Sequence, residues 1–329
     1  MDDPRQNVDK TCIRALAEEA ADVARDPGDL YEVSPDAPEL ASGLVMLYYL
    51  DGFVDAGAAG RLLTSHLLST LDHTEIARFD VDSLIDYRSR RPAMIFTKDH
   101  WESVEAPEIT VHLLRDADET PFLLLNGLEP DRDWEAFTKA VLALSARLNV
   151  RLMVSFHGIP MGVPHTRPLG ITGHATQPEL IDGYQPLVDR LQVPGSASAL
   201  IEFRMGEAGK AAVGFAVHVP HYLAHASYPA AAITLLAAVE RATGLNLPAE
   251  ALSEAAQLTD AEIARQVEGS DEVTEVVRSL EEQYDAFNAN RPGLLADQAE
   301  NMPTADELGA QFERFLAEQQ FGGEGTPES

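Results

Sequence analysis

Three short apolar runs constrain the fold more than anything else in this chain: Leu44–Leu50 (LVMLYYL), Phe122–Leu125 (FLLL) and Val150–Ser155 with Leu152, Met153 and Val154 at its centre. Runs of this length with no polar alternation are the mark of strands covered on both faces, as in a parallel sheet. The first passes into Asp51-Gly52-Phe53-Val54-Asp55-Ala56-Gly57, and Ala58–Leu71 then has helical spacing at Leu62, Leu63, His66, Leu67 and Leu71. The second passes into Asn126-Gly127-Leu128-Glu129-Pro130-Asp131 and a helix over Trp134–Leu148, with Phe137, Val141 and Leu144 on one face. Strand, tight loop, helix, strand is the grammar of a βαβ unit, and a doubly wound sheet gathers such loops at the carboxyl ends of its strands.

The remaining segments fill in an α/β body and a helical end. A helix is expected over Thr11–Arg25, stopped by Asp26-Pro27-Gly28. Ala93–Thr97 and Ile109–Leu114 read as shorter antiparallel strands joined by a loop around Trp101 and Pro107, and Ala197–Arg204 and Ala211–His218 as two further strands. Pro220 is placed to open a helix, with Tyr228-Pro229 interrupting it before Ala230–Thr243. Beyond Asn246 the pattern is helical, with capping boxes expected at Thr259-x-x-Glu262 and Thr304-x-x-Glu307 and a cap at Ser270. The division expected is a helix and linker over 1–39, an α/β domain over 40–245, a helical subdomain over 246–320 and a disordered tail over 321–329.

Charge and missing motifs narrow the function. Against 54 acidic residues stand 24 basic ones, a formal net charge of −30, so nucleic acid is excluded as a partner by repulsion. No run approaches the roughly 18 apolar residues of a membrane helix, and MDDPRQNVDK lacks the pattern of a signal peptide; no membrane partner and a cytoplasmic location are expected. Cys12 is the single cysteine, which leaves no intramolecular disulfide and no cysteine-built zinc site. Gly209-Lys210 lacks the first glycine of a P-loop, Gly57 and Gly60 lack a dinucleotide fingerprint, and there is no nucleophile elbow or H-E-x-x-H. No cofactor is expected.

Polar residues cluster at the predicted strand ends. Asp51 and Asp55 flank the first loop, where aspartates either stabilise a turn or act as a base or bind a ribose or metal. His157, His165, Arg167 and His174 lie in the Gly- and Pro-rich stretch Phe156–Thr176 and offer a cationic pocket for phosphate or carboxylate; the alternative is Arg167 salt-bridged to a nearby aspartate and histidines bonded to loop carbonyls. His218, His221 and His225 have the spacing of a weak metal candidate, His221 and His225 one helical turn apart with His218 at the strand end. Asp86-Tyr87-Arg88-Ser89-Arg90-Arg91-Pro92 is a basic cluster in an acidic chain, and Arg88, Arg90 and Arg91 suit a contact with the acidic surface of a second protomer. A homo-oligomer is expected.

In order along the chain, Gly52-Phe53-Val54-Asp55-Ala56-Gly57, Asp86–Pro92, Gly158-Ile159-Pro160, Pro164-His165-Thr166-Arg167-Pro168 and His218-Val219-Pro220-His221-Tyr222 resemble the proteasome assembly chaperone 2 family in its actinobacterial branch. The resemblance spans roughly residues 40 to 320. It implies a three-layer α/β/α sandwich similar to the purine nucleoside phosphorylase and hydrolase-like fold, carrying a helical C-terminal subdomain, and a non-enzymatic role through protein contacts with a proteasome-related partner. It supplies no catalytic residue. Eukaryotic and archaeal members dock through a C-terminal hydrophobic-Tyr-x tail, whereas this sequence ends Thr326-Pro327-Glu328-Ser329, so the acidic helices are expected to replace it. The alternative is an enzyme or small-molecule binder for a nucleoside-like or anionic compound, its pocket drawn from Asp51, Asp55, His157, His165, Arg167, His174, His218 and His221.

Overall fold

The computed structural model describes residues 26–289 except 185 and 187–189. The helix expected over 11–25, the cap at Thr304, the last helix and the tail lie outside the described residues.

In chain order the main elements are β1 (Tyr31–Val33), β2 (Leu44–Asp51), α1 (Ala59–Thr70), β3 (His73–Phe79), β4 (Met94–Thr97), β5 (His100–Val104), β6 (Ile109–Arg115), β7 (Pro121–Leu128), α2 (Trp134–Arg147), β8 (Val150–Met161), β9 (Ile171–Ala175), α3 (Ala197–Glu207), β10 (Ala212–Pro220), α4 (Pro229–Thr243), α5 (Glu250–Glu268) and α6 (Asp271–Ala289). Eight strands form one mixed sheet in the order β1-β3-β6-β7-β2-β8-β10-β9, and β4 and β5 make a separate hairpin. The four central strands β7, β2, β8 and β10 are parallel, and their outer neighbours join antiparallel.

The apolar runs are buried on both faces because helices cover both. Val45, Leu47 and Tyr49 of β2 face one core with Leu63 and Leu67 of α1, Leu235 and Val239 of α4, and Leu252 and Ile263 of α5. Leu44, Met46, Tyr48 and Leu50 face the other with Phe137, Val141 and Leu144 of α2 and Ile201 and Met205 of α3. The period of two along the strand thus divides one sequence between two cores, and the expected three-layer α/β/α architecture is the observed one.

Several local expectations are corrected. Ala197–Arg204 is helix, not strand: Ser196 caps it by accepting from Ala199 N at 3.1 Å, and Ala197, Ile201 and Met205 recur at helical spacing to fill the core. Ile109–Arg115 does not pair with Met94–Thr97; it enters the main sheet between β3 and β7, while Trp101 lies on β5 rather than in a loop. Pro220 ends β10, only the turn His221–Leu223 follows, and Pro229 opens α4. Thr259 caps nothing: it sits inside α5 with its hydroxyl on Ala255 O at 3.0 Å. Ser270 does cap α6, accepting from Val273 N at 3.4 Å. No helix among the described residues is long and apolar enough to cross a membrane.

Candidate functional site

Asp55 sits at the crossing of three segments. Its Oδ1 accepts from Gly60 N and Gly158 N, both at 2.9 Å, and its Oδ2 from Arg61 N and the Tyr49 hydroxyl, both at 3.0 Å. With both oxygens doubly engaged, the carboxylate ties the β2–α1 loop to β8 and completes the free amides at the start of α1. The approach demands glycine: a Cβ on Gly158 would lie 2.0 Å from Ala56 O, and one on Gly60 would lie 2.6 Å from the Tyr49 ring. Gly57, at φ +69°, then donates to Ala224 O and accepts from Tyr228 N, each at 2.8 Å, which links the loop to the segment after β10. Asp51 stands at the end of β2, 3.4 Å from the Tyr49 hydroxyl.

His157 and His174 lie on the other side of the sheet from the Asp55 loop's helix. His174 Nδ1 is 2.9 Å from Glu202 Oε1 of α3, and its ring lies over Gly214, where a Cβ would meet it at 2.1 Å and Ser155 Oγ at 2.7 Å. Glu202 Oε2 is buried without a partner. Burial, reinforced by His174, pushes the His157 imidazole down to about 4, with Asp55 opposing. The neighbouring Tyr48 phenol is pushed up by its complete burial and by Glu202.

The loop between β8 and β9 is held by different partners again. Tyr222 accepts from His165 N at 2.8 Å and lies 2.7 Å from His165 Nδ1, and burial lowers His165 and pushes Tyr222 up to about 12. Arg167 pairs with Glu281 of α6 at 3.2 Å, and Tyr284 donates to Pro168 O at 2.9 Å. The salt bridge allowed for Arg167 is formed, but to a glutamate on a distant helix rather than to a nearby aspartate. His218 Nε2 lies 2.8 Å from Thr172 Oγ1, and His221, lowered by burial, interacts with the Met161 backbone. Among the described residues no three His, Cys, Asp or Glu side chains are grouped to hold a metal ion, His218, His221 and His225 included. Asp51 and Asp55 thus share the Tyr49 hydroxyl, and His174 and Asp55 both act on His157, whereas His165, Arg167, His218 and His221 are held by other partners.

The basic segment divides as well. Arg90 turns inward, 2.9 Å from Glu129 O, 3.3 Å from Asp51 O and 3.2 Å from the Asp131 carboxylate. Beside it the buried Glu129 carboxylate accepts from Ala197 N at 2.7 Å; burial raises its pKa while the α3 amide and Arg90 oppose. Arg88 and Arg91 are exposed. Directly after them the β4–β5 hairpin displays Met94, Ile95, Phe96, Trp101 and Val104, with Trp101 63% exposed and its ring 5.1 Å from that of Phe96. The sequence signal for this hairpin was present in two short β-rich runs flanking Lys98-Asp99, Lys98 taking the left-handed conformation at φ +56°.

A cleft of about 530 Å³ opens between α1, the carboxyl ends of β2 and β7, and the base of this hairpin. Of the predicted pocket residues only Asp51 lines it, together with Arg90 and Arg91. Tyr49, Thr64 and Asn126, which also line it, were not singled out from the sequence; Asn126 carried a usable signal, being the polar residue that ends the apolar run of β7.

A family model described as the PAC2 family matches residues 49–267. A Mycobacterium tuberculosis protein of unknown function is 48% identical, its structure superposing with a TM-score of 0.77 over 81% of this chain and 95% of that one. A Corynebacterium glutamicum protein of unknown function is 38% identical, with a TM-score of 0.77 over 80% of this chain and 100% of that one. A second M. tuberculosis structure, described as a proteasome-assembly chaperone homologue, is 27% identical, with a TM-score of 0.65 over 71% of this chain and 100% of that one. Comparison with curated proteins gives no significant match. The family match over two thirds of the chain and the two closely similar structures establish that the chain belongs to the PAC2 family.

Proposed function

We propose that this protein is a self-associating, non-enzymatic assembly factor similar to proteasome assembly chaperones, acting in the cytoplasm through protein contacts. The observation that carries the reading is the β4–β5 hairpin: all of its strand residues except the half-buried Thr97 are exposed, five of them large and apolar. A two-stranded hairpin is marginal by itself, and an apolar cluster held out in water has a standing cost that a partner surface removes. Support for the chaperone reading comes from membership of the PAC2 family and from likeness to the proteasome-assembly chaperone homologue.

The first occupant of the hairpin is a second copy of this chain. Arg88 and Arg91 adjoin the apolar strip in a protein of net charge −30, so the surface they complement is one that every other copy carries. Acidic α5 and α6 supply such a surface, with Glu254, Glu262, Glu268, Glu272 and Glu275 along them. The assembled form then presents the remaining acidic helices to proteasome-type α-subunits.

The test is co-expression with the host's proteasome α-subunits, followed by sizing with light scattering. The intact protein is expected to form an oligomer that retains α-subunit. Phe96→Ser with Trp101→Ser is expected to yield monomers that retain none. Assembly and retention unchanged by the double substitution would overturn the reading.

A further inference from the structure

Two residues that line the cleft between α1 and the ends of β2 and β7 carry hydrogen-bonding groups that the protein leaves unused. Thr64 is 6% exposed and its hydroxyl has no partner. Elsewhere in the helices Thr70, Thr234, Thr243 and Thr259 each bond the carbonyl four residues back, whereas Thr64 and Thr138 do not, and of these two Thr64 lines the cleft. Asn126 Oδ1 is likewise buried and unpartnered. Two residues lining one cavity of about 530 Å³, each with a buried polar atom that lacks a partner, mark a place where a bound molecule completes the bonding.

The lining also indicates the chemistry of that molecule. Asn126 Oδ1 and the Asp51 carboxylate are acceptors, and the Tyr49 hydroxyl, donating to Asp55, keeps its lone pairs for a donor. Such a lining receives hydroxyl groups. At the rim stand Arg61 and Arg91, both exposed and neither in an ion pair among the described residues, whereas Arg90 is held by Asp131. Guanidinium forks at a cleft mouth bind phosphate or carboxylate. Glu108 does not cancel them, because Arg78 holds it at 2.6 Å, and Glu105 is the remaining rim acid.

We propose that this cleft binds a small polyhydroxylated acid, its hydroxyls on Asn126, Thr64 and Asp51 and its phosphate or carboxylate between Arg61 and Arg91. The site is distinct from the histidine clusters and does not depend on the docking reading.

Titration calorimetry of the full-length protein against ribose 5-phosphate, gluconate and inorganic phosphate tests it. At least one of the two polyol acids is expected to bind one per chain and tenfold or more tighter than inorganic phosphate; ribose 5-phosphate alone indicates a phosphate ester, gluconate alone a carboxylate. Thr64→Val keeps the side-chain shape and removes the orphaned hydroxyl, so it is expected to weaken that binding fivefold or more while the melting temperature stays or rises. Arg61→Ala with Arg91→Ala is expected to weaken it a further tenfold. No binding of either polyol acid at millimolar concentration, or wild-type affinity in Thr64→Val, overturns the proposal. The experiment needs no protein partner, so its failure leaves the docking reading standing.

Discussion

Asp55 and Gly158, more than a hundred residues apart in sequence, are joined by a hydrogen bond of 2.9 Å from the Gly158 amide to the Asp55 carboxylate. The same carboxylate takes Gly60 N, Arg61 N and the Tyr49 hydroxyl, so a single side chain fixes the β2–α1 turn, the start of α1 and the middle of β8 together. This is a structural use of a carboxylate that sequence alone left open between turn and catalyst.

Asp55→Asn leaves the shape intact but turns an amide NH₂ toward two donors. A loss of about 2–4 kcal/mol is expected, measured by urea denaturation with unchanged m-value. Gly158→Ala should be harsher, since its Cβ would fall 2.0 Å from Ala56 O, and the backbone must move to admit it. Asp55→Asn at wild-type stability would show that the carboxylate is not the tie described.

His157 makes stability fall in acid. Its folded pKa, depressed by burial to about 4, lies below the ordinary value of 6.5, so below pH 6.5 the unfolded chain binds the proton that the folded chain refuses. The contribution is complete above pH 6.5 and is lost as pH drops from 6.5 towards 4, on the order of 3 kcal/mol in all. His157→Gln should flatten the stability profile over that window; a profile identical to that of the parent protein would contradict the assignment.

Glu129 anchors α3 from the end of β7. Glu129→Ala removes the acceptor for Ala197 N and leaves that amide buried in the core wall, an expected loss of about 2–3 kcal/mol by thermal or urea unfolding. Glu129→Gln keeps an acceptor oxygen and should recover most of it. Equal losses for the two would indicate that charge with Arg90, rather than the helix bond, carries the effect.

How much was legible follows from what local pattern encodes. The runs LVMLYYL and FLLL gave the central strands because continuous apolarity has one inexpensive solution, burial on both faces. Ala197–Arg204 misled because Ala, Leu, Ile and Phe alternate with polar residues well enough to imitate a strand; the arbiter, Glu129 waiting for the Ala197 amide, lies far away in sequence. The strand β3, His73–Phe79, was hidden for the same reason, its pairing with β1 and β6 being non-local. At the candidate site, residue types were visible but not their company. Asp51 ends β2, His165 lies in the loop after β8, His174 is on β9 and His218 on β10, and each meets a different partner. Thr64 left no trace in the sequence, since only the folded helix shows that its hydroxyl is left over.

The most direct test of the docking account is the native mass of the purified protein, compared with that of Phe96→Ser, Trp101→Ser. Both positions are exposed, at 55% and 63%, so the double substitution should leave folding stability within about 1 kcal/mol. The account predicts a discrete multiple of the 35.7 kDa chain for the parent protein and a single 35.7 kDa species for the variant. A monomeric parent, or an oligomer that survives the loss of both rings, would contradict it.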